Sequence, residues 1–135
     1  HAERKLLSVV KLSQPADGSK HAKVGHVIDH IVQNFADDIS IDAAAEMAGM
    51  TQATFRRNFQ ATTGHRFVEF VNRVRIGQAC GMLYATDDQV TTICFQVGFQ
   101  NLANFNRQFL KTKQMTPSAY REMARKDLSS KKENA

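Results

Sequence analysis

The sequence predicts an all-α fold, and three observations predict it. Apolar residues recur at helical spacing along most of the chain, no segment alternates as a half-buried strand does, and one helix-turn-helix pattern occurs twice, about 50 residues apart. The length of 135 residues suits one domain or two very small ones. A hydrophobic content of 42% supplies a core with no surplus. No window approaches the ~18 consecutive apolar residues of a membrane span, so no membrane partner is expected.

The elements follow in order. Leu6, Leu7, Val9, Val10 and Leu12 predict a short helix over 4–13, and 14–20 reads as a linker with Pro15, Asp17 and Gly18 as turn residues. Val24, Val27, Ile28, Ile31 and Phe35 then follow the i, i+3, i+4, i+7, i+11 spacing of an amphipathic helix, which ends at 37–39. Ser40 caps a short helix through Ala48, and Gly49 turns the chain. Thr51 caps a further helix with Phe55 and Phe59 inward, stopped by Gly64. A longer helix over 66–84 carries Phe67, Phe70, Val71, Val74, Met82 and Leu83. Asp87 or Asp88 caps a short helix over 90–97, Gly98 turns the chain, and 101–113 forms the next helix. Thr116 and Pro117 cap and open the last one. About seven helices therefore form two helix-turn-helix subdomains, 23–65 and 86–126, joined by a long linker helix over 66–85. Residues 1–22 read as a tail and linker from a preceding domain, since the chain opens on His1 rather than Met, and 127–135 as a disordered tail.

Charge is unevenly distributed. The formal net charge is +5, but 24–50 holds five acids and no Lys or Arg, whereas 51–126 holds eleven Lys or Arg against four acids. A basic surface confined to one part of a small domain is the electrostatic footprint of a polyanion binder. The nine Phe fall at helical spacing and read as core rather than as a stacking platform, which favours duplex DNA over single strands.

The repeat carries the most information. Phe55, Arg57 and Phe59 recur as Phe105, Arg107 and Phe109, Gly49 and Met50 recur as Gly98 and Phe99, and Phe70 answers to Tyr120. In a helix-turn-helix the second helix enters a major groove ~12 Å wide, held on its scaffold by a buried side and reading with the other. The residues off the Phe stripe are Gln52, Ala53, Arg56 and Arg57 in the first copy, and Leu102, Ala103, Asn106 and Arg107 in the second. Arg bridges guanine O6 and N7, Asn and Gln pair with adenine, and Leu or Ala meets a thymine methyl. At about 1.5 Å per residue the connecting helix is roughly 25 Å long. That length suits two reading helices near the ~34 Å of one DNA turn, on an asymmetric site.

Together these residues resemble the tandem helix-turn-helix domain of AraC/XylS-type transcription regulators, over about 24–123. The resemblance is strongest in Val-Thr-Thr-Ile-Cys-Phe-Gln-Val-Gly-Phe from Val90, Asn-Phe-Asn-Arg-Gln-Phe from Asn104 and Thr-Pro-Ser-Ala-Tyr-Arg from Thr116. It implies a seven-helix domain that binds double-stranded promoter DNA, as part of a bacterial regulator, either activator or repressor; the cytoplasm is expected separately, from Cys80 and Cys94 as free thiols. Base reading falls on Ala53, Arg56, Arg57, Leu102, Ala103, Asn106 and Arg107, with Gln52 added from the residue pattern. Thr51, Arg66, Asn101, Lys111, Lys113 and Arg121 are expected at phosphates. The resemblance also implies RNA polymerase as a further partner. An effector would act only through a separate N-terminal domain, of cupin type, and the isolated domain would be a monomer within a dimeric full-length protein. One departure concerns the linker helix, which holds Gly77 and, where a polar or charged residue is usual, Gly81. Gly81 is expected to allow close packing, the alternative being a softer helix.

Other chemistry finds no support. His26 and His30 lie at i, i+4, but no Cys/His set completes four ligands, so no metal or cofactor is expected. Cys80 and Cys94 read as free core thiols. No phosphate loop or Ser/His/Asp set suggests an enzyme. The competing reading is a helical protein-interaction adaptor with a basic face and no DNA specificity.

Overall fold

The computed structural model describes residues 19–133, so the helix expected over 4–13 and most of the expected linker lie outside the described residues. Seven helices follow one another: α1 (Lys20–Gln33), α2 (Ile41–Met47), α3 (Gln52–Thr63), α4 (Phe67–Ala85), α5 (Val90–Gln96), α6 (Leu102–Lys113) and α7 (Pro117–Glu133). No strand occurs among the described residues. The fold is all-α.

Side-chain caps set most helix starts. The hydroxyls of Ser19, Ser40 and Thr51 and the Oδ1 of Asn101 accept from Ala22, Ala43, Thr54 and Asn104 N–H, each replacing an acceptor the first turn lacks. Thr116 does the same for Ala119, with Pro117 as the first helical residue. The expected cap at Asp87 or Asp88 is corrected: Gln89 precedes α5 and makes no side-chain cap bond. Asp87 instead pairs with Arg125 at 2.9 Å, and Thr86 Oγ1 accepts from Asp88 N–H.

The two turns of the repeat are built alike. Gly49 N–H donates to Glu46 O and Met50 N–H to Ala45 O, both at 2.9 Å; Gly98 and Phe99 donate to Phe95 O and Cys94 O, both at 3.1 Å. This is a Schellman closure, which needs a left-handed residue just past the helix. Gly49 (φ 66°) and Gly98 (φ 104°) supply it.

The chain divides into two compact units inside α4, between Val74 and Arg75. The linker helix expected over 66–85 is therefore shared between cores. Phe67, Phe70, Val71 and Val74 are buried in the first unit, together with Val24, Ile28 and Ile31 of α1 and Phe55 and Phe59 of α3. The i, i+3, i+4, i+7 pattern then restarts at Ile76, and Ile76, Ala79, Cys80 and Leu83 are buried in the second. Close packing at Gly81 is overturned: a Cβ there, or at Gly77, would meet nothing within 4 Å. Helix α7 continues through Glu133, past the expected end at Lys126, in a segment of good helix formers with a Glu122–Lys126 pair at 3.4 Å.

One matched position departs from its partner. Gly64 ends α3 at φ 77°, whereas Gln114, its equivalent 50 residues on, ends α6 at φ 60° and is the one non-glycine residue with positive φ among those described. Left-handed backbone costs an L side chain roughly 1–2 kcal/mol, partly offset by the greater chain entropy that glycine loses on folding. Gln114→Gly is expected to stabilise the protein by about 0.5–1 kcal/mol and Gly64→Ala to destabilise it by about 1 kcal/mol. Urea midpoints at unchanged m-value check both.

Candidate nucleic-acid interface

Helix α3 is held by one side and open on the other. Phe55 and Phe59 have no exposed surface; their ring centroids lie 5.5 Å apart, and Phe67 meets both edge-on at 5.6 and 5.5 Å. Phe70 closes the cluster on Phe59 at 5.3 Å. Opposite this stripe Gln52, Ala53, Arg56 and Arg57 are all exposed, and no described residue bonds either guanidinium. A helix of 12 residues is marginal alone, so the buried aromatic pair makes it a fixed platform.

Helix α6 repeats the design with different packing. Phe105 and Phe109 are again fully buried, 5.8 Å apart. Pro117 stands at the place matching Phe67, and Phe99 compensates by meeting Phe105 edge-on at 5.2 Å, with the Arg75 guanidinium 5.9 Å from its ring centre. Tyr120 meets Phe109 at 5.8 Å, as Phe70 meets Phe59. Ala103, Asn106 and Arg107 are exposed; Leu102 is half-buried.

Of the expected phosphate residues, Thr51, Arg66, Asn101, Lys111 and Lys113 are exposed. Thr51 and Asn101 already act as caps through their side-chain oxygens. Lys111 and Lys113 lie in the last turn of α6, where cations also favour the helix dipole. Arg121 has a different task. Its Nε donates to Leu83 O at 2.9 Å, and one Nη donates to Thr86 O and Asp88 O at 3.1 and 2.7 Å. Arg125 adds a 2.6 Å bond to Thr86 O beside its pair with Asp87. The two arginines tie the end of α4 and the α4–α5 loop to α7, satisfying carbonyls that the helix end leaves without partners.

Both cysteines are free and buried. Burial pushes the Cys94 thiol up, and pushes Cys80 up against the opposing effects of Lys113 and of a hydrogen bond with Tyr120. The Tyr120 phenol is raised by burial and by Cys80. These are protonated core thiols rather than nucleophiles. His26 and His30 are exposed on α1. Among the described residues no helix is long and apolar enough to cross a membrane.

A sequence model of the helix-turn-helix domain matches residues 44–123, which takes in α3, α6 and both glycine turns. The chain belongs to the AraC-type helix-turn-helix family. Among its relatives is the HTH-type transcriptional regulator MtrA of Neisseria gonorrhoeae, 29% identical over 84% of this chain. The chain spans 38% of that regulator's length. A solved "probable AraC family transcriptional regulator" from Rhodopseudomonas palustris is 28% identical, with a TM-score of 0.69 over 76% of this chain and 96% of the other. The DNA-binding domain of AdpA, solved in complex with a target DNA, shares the fold with a TM-score of 0.74 at 23% identity, covering 78% of this chain and 95% of the other.

The family accounts for the repeat, yet two features of this AraC-type chain have no signal in spacing alone. The side-chain bond between Asn104 and Arg107 rests on rotamers, although their i, i+3 spacing permits it. The anchoring of Arg121 depends on how the α4–α5 loop folds back onto α7. Arg121→Ala is therefore expected to lower stability by about 1–3 kcal/mol, through carbonyls left without donors, while leaving the salt dependence of DNA binding nearly unchanged. Urea unfolding and a salt titration, run on the same variant, check both parts.

Proposed function

We propose that this chain is the DNA-binding part of a transcription regulator and reads an asymmetric double-stranded promoter site with α3 and α6, one on each unit, in successive major grooves. The observation that carries the reading is the matched pair of platforms: buried Phe55/Phe59 and Phe105/Phe109 each leave an arginine, Arg57 and Arg107, exposed at the same helical position. An adaptor for an acidic protein has no need of that register. Base reading is assigned to Gln52, Ala53, Arg56 and Arg57 of α3 and to Ala103, Asn106 and Arg107 of α6, with Leu102 contributing its partly exposed side to an apolar contact. Arg66, Lys111 and Lys113 contact phosphates, as do Thr51 and Asn101 at the two helix starts. The likeness to a domain solved with its target DNA supports this reading.

The wider protein is proposed to work in the cytoplasm, to meet RNA polymerase at the promoter, and to take its effector and its dimer contact outside this chain. No enzymatic role is proposed.

Selection of bound duplexes from a random library at about 150 mM salt tests the proposal. Two short, unlike sequence blocks about one helical turn apart are expected; absence of enrichment would return the adaptor reading. On the selected duplex Arg57→Ala is expected to weaken binding by about 1–3 kcal/mol and relax one base preference. Lys111→Ala or Lys113→Ala should weaken all sequences alike and lower the salt slope by about one unit.

A further inference from the structure

The two matched arginines are not presented alike. Arg107 Nη2 donates to Asn104 Oδ1 at 3.2 Å, and the same oxygen accepts from Gln108 Nε2 at 3.3 Å. Both lone pairs of that carbonyl are thus engaged. Asn104 is half-buried beside the Phe105/Phe109 stripe, and its own N–H is fixed by the Asn101 cap at 2.7 Å. A short chain of bonds therefore runs from the start of α6 to the Arg107 guanidinium. In the first copy Thr54 stands at the matching place, and its hydroxyl bonds the Thr51 hydroxyl at 3.0 Å. Thr54 is too short to follow Arg57 one turn on, and no described residue bonds that guanidinium.

We infer that Asn104 is a positioning residue for base recognition: it pre-orders Arg107 over the reading face of α6, so that the second unit discriminates at Arg107 more sharply than the first does at Arg57. The inference rests on the proposed reading of DNA by α6. An arginine side chain has many rotamers, and those removed before binding no longer oppose it, so pre-ordering strengthens the contact without adding one. The effect is selective because bidentate bonding to guanine needs one guanidinium plane, whereas attraction to a phosphate tolerates many. Asn104 does not touch the base; it acts through Arg107.

The test uses this chain, a duplex selected on the wild type, all single base-pair variants of that duplex, and an unrelated duplex of equal length. Arg107→Ala first locates the base pair whose substitution ceases to matter. Asn104→Ala is expected to reduce discrimination at that same base pair by about three- to tenfold. Affinity for the unrelated duplex, the salt slope and the urea midpoint should all stay within error of wild type. In the Arg107→Ala background, Asn104→Ala should change discrimination no further, and Thr54→Ala should leave the preference governed by Arg57 unaltered. Asn104→Asp keeps an acceptor at the same reach and is expected to retain the discrimination that Asn104→Ala loses.

Three results would overturn the inference while leaving DNA reading intact: full discrimination in Asn104→Ala, an Arg107→Ala effect equal on all duplexes, or tighter specific binding in Asn104→Ala, which would make Asn104 a parking site. A wild-type chain that enriches no sequence would remove the DNA reading, and the inference with it.

Discussion

The structure depends on the burial of two phenylalanines one turn apart on each of α3 and α6. Helices α3 and α6 have 12 residues each, too few to persist alone in water, and apart from Leu110 and three alanines their exposed sides are polar or basic. Tertiary burial of Phe55/Phe59 and Phe105/Phe109 supplies the stability they lack. The same burial fixes their rotation, which decides that Arg57 and Arg107 face outward. Stability and presentation of the exposed arginines are one event.

Helix α4 extends this economy to both units. Its first stripe closes the Phe cluster beneath α3, and its second, starting at Ile76, belongs to the core that holds α6. In the first unit α1 precedes the helix-turn-helix; in the second, the latter part of α4 precedes it. One helix thus ends one copy of the repeat and begins the next, and its pattern has to break at 74–76 for both to be served. The arginines of α7 then secure the far end of that helix. Arg121 and Arg125 take the carbonyls of Leu83, Thr86 and Asp88, groups that would otherwise be left without donors at a helix end. A cation in a basic region is therefore not by default a cation for DNA.

The two copies have diverged where the repeat permits it. Met50 and Phe99 occupy matching turn positions, but only Phe99 adds a ring to the cluster, which replaces the one lost where Pro117 stands for Phe67. Thr54 and Asn104 show the same divergence on the exposed side: one hydroxyl serves the cap, and one amide reaches an arginine. Similar scaffolds thus present unlike exposed faces.

Much of this was legible in the sequence, for reasons that are local. Capping chemistry depends on residues three apart, so Ser40, Thr51 and Thr116 announce their helices, whereas the expectation of a helix from Asn101 misses its cap there. Glycine at a left-handed turn announces the turns before α3 and α6, and the i, i+4 phenylalanines announce which sides are buried. Expectations failed where the partner lies far along the chain. The spacing of Asp87 and Asp88 allows a cap, but Arg125 reaches Asp87 across the fold. The basic character of Arg121 suggests a phosphate, but three carbonyls some 35 residues away hold its Nε and one of its two Nη groups. Gly81 suggests close packing, yet the tertiary structure has open space there. The sequence by itself determined the helices, the caps at Ser40, Thr51 and Thr116 and the buried sides of α3 and α6, because each follows from neighbours within a turn or two. Tertiary structure alone decided which charged groups are free to meet a ligand, because hydrogen-bond donors are satisfied by whatever the fold brings beside them.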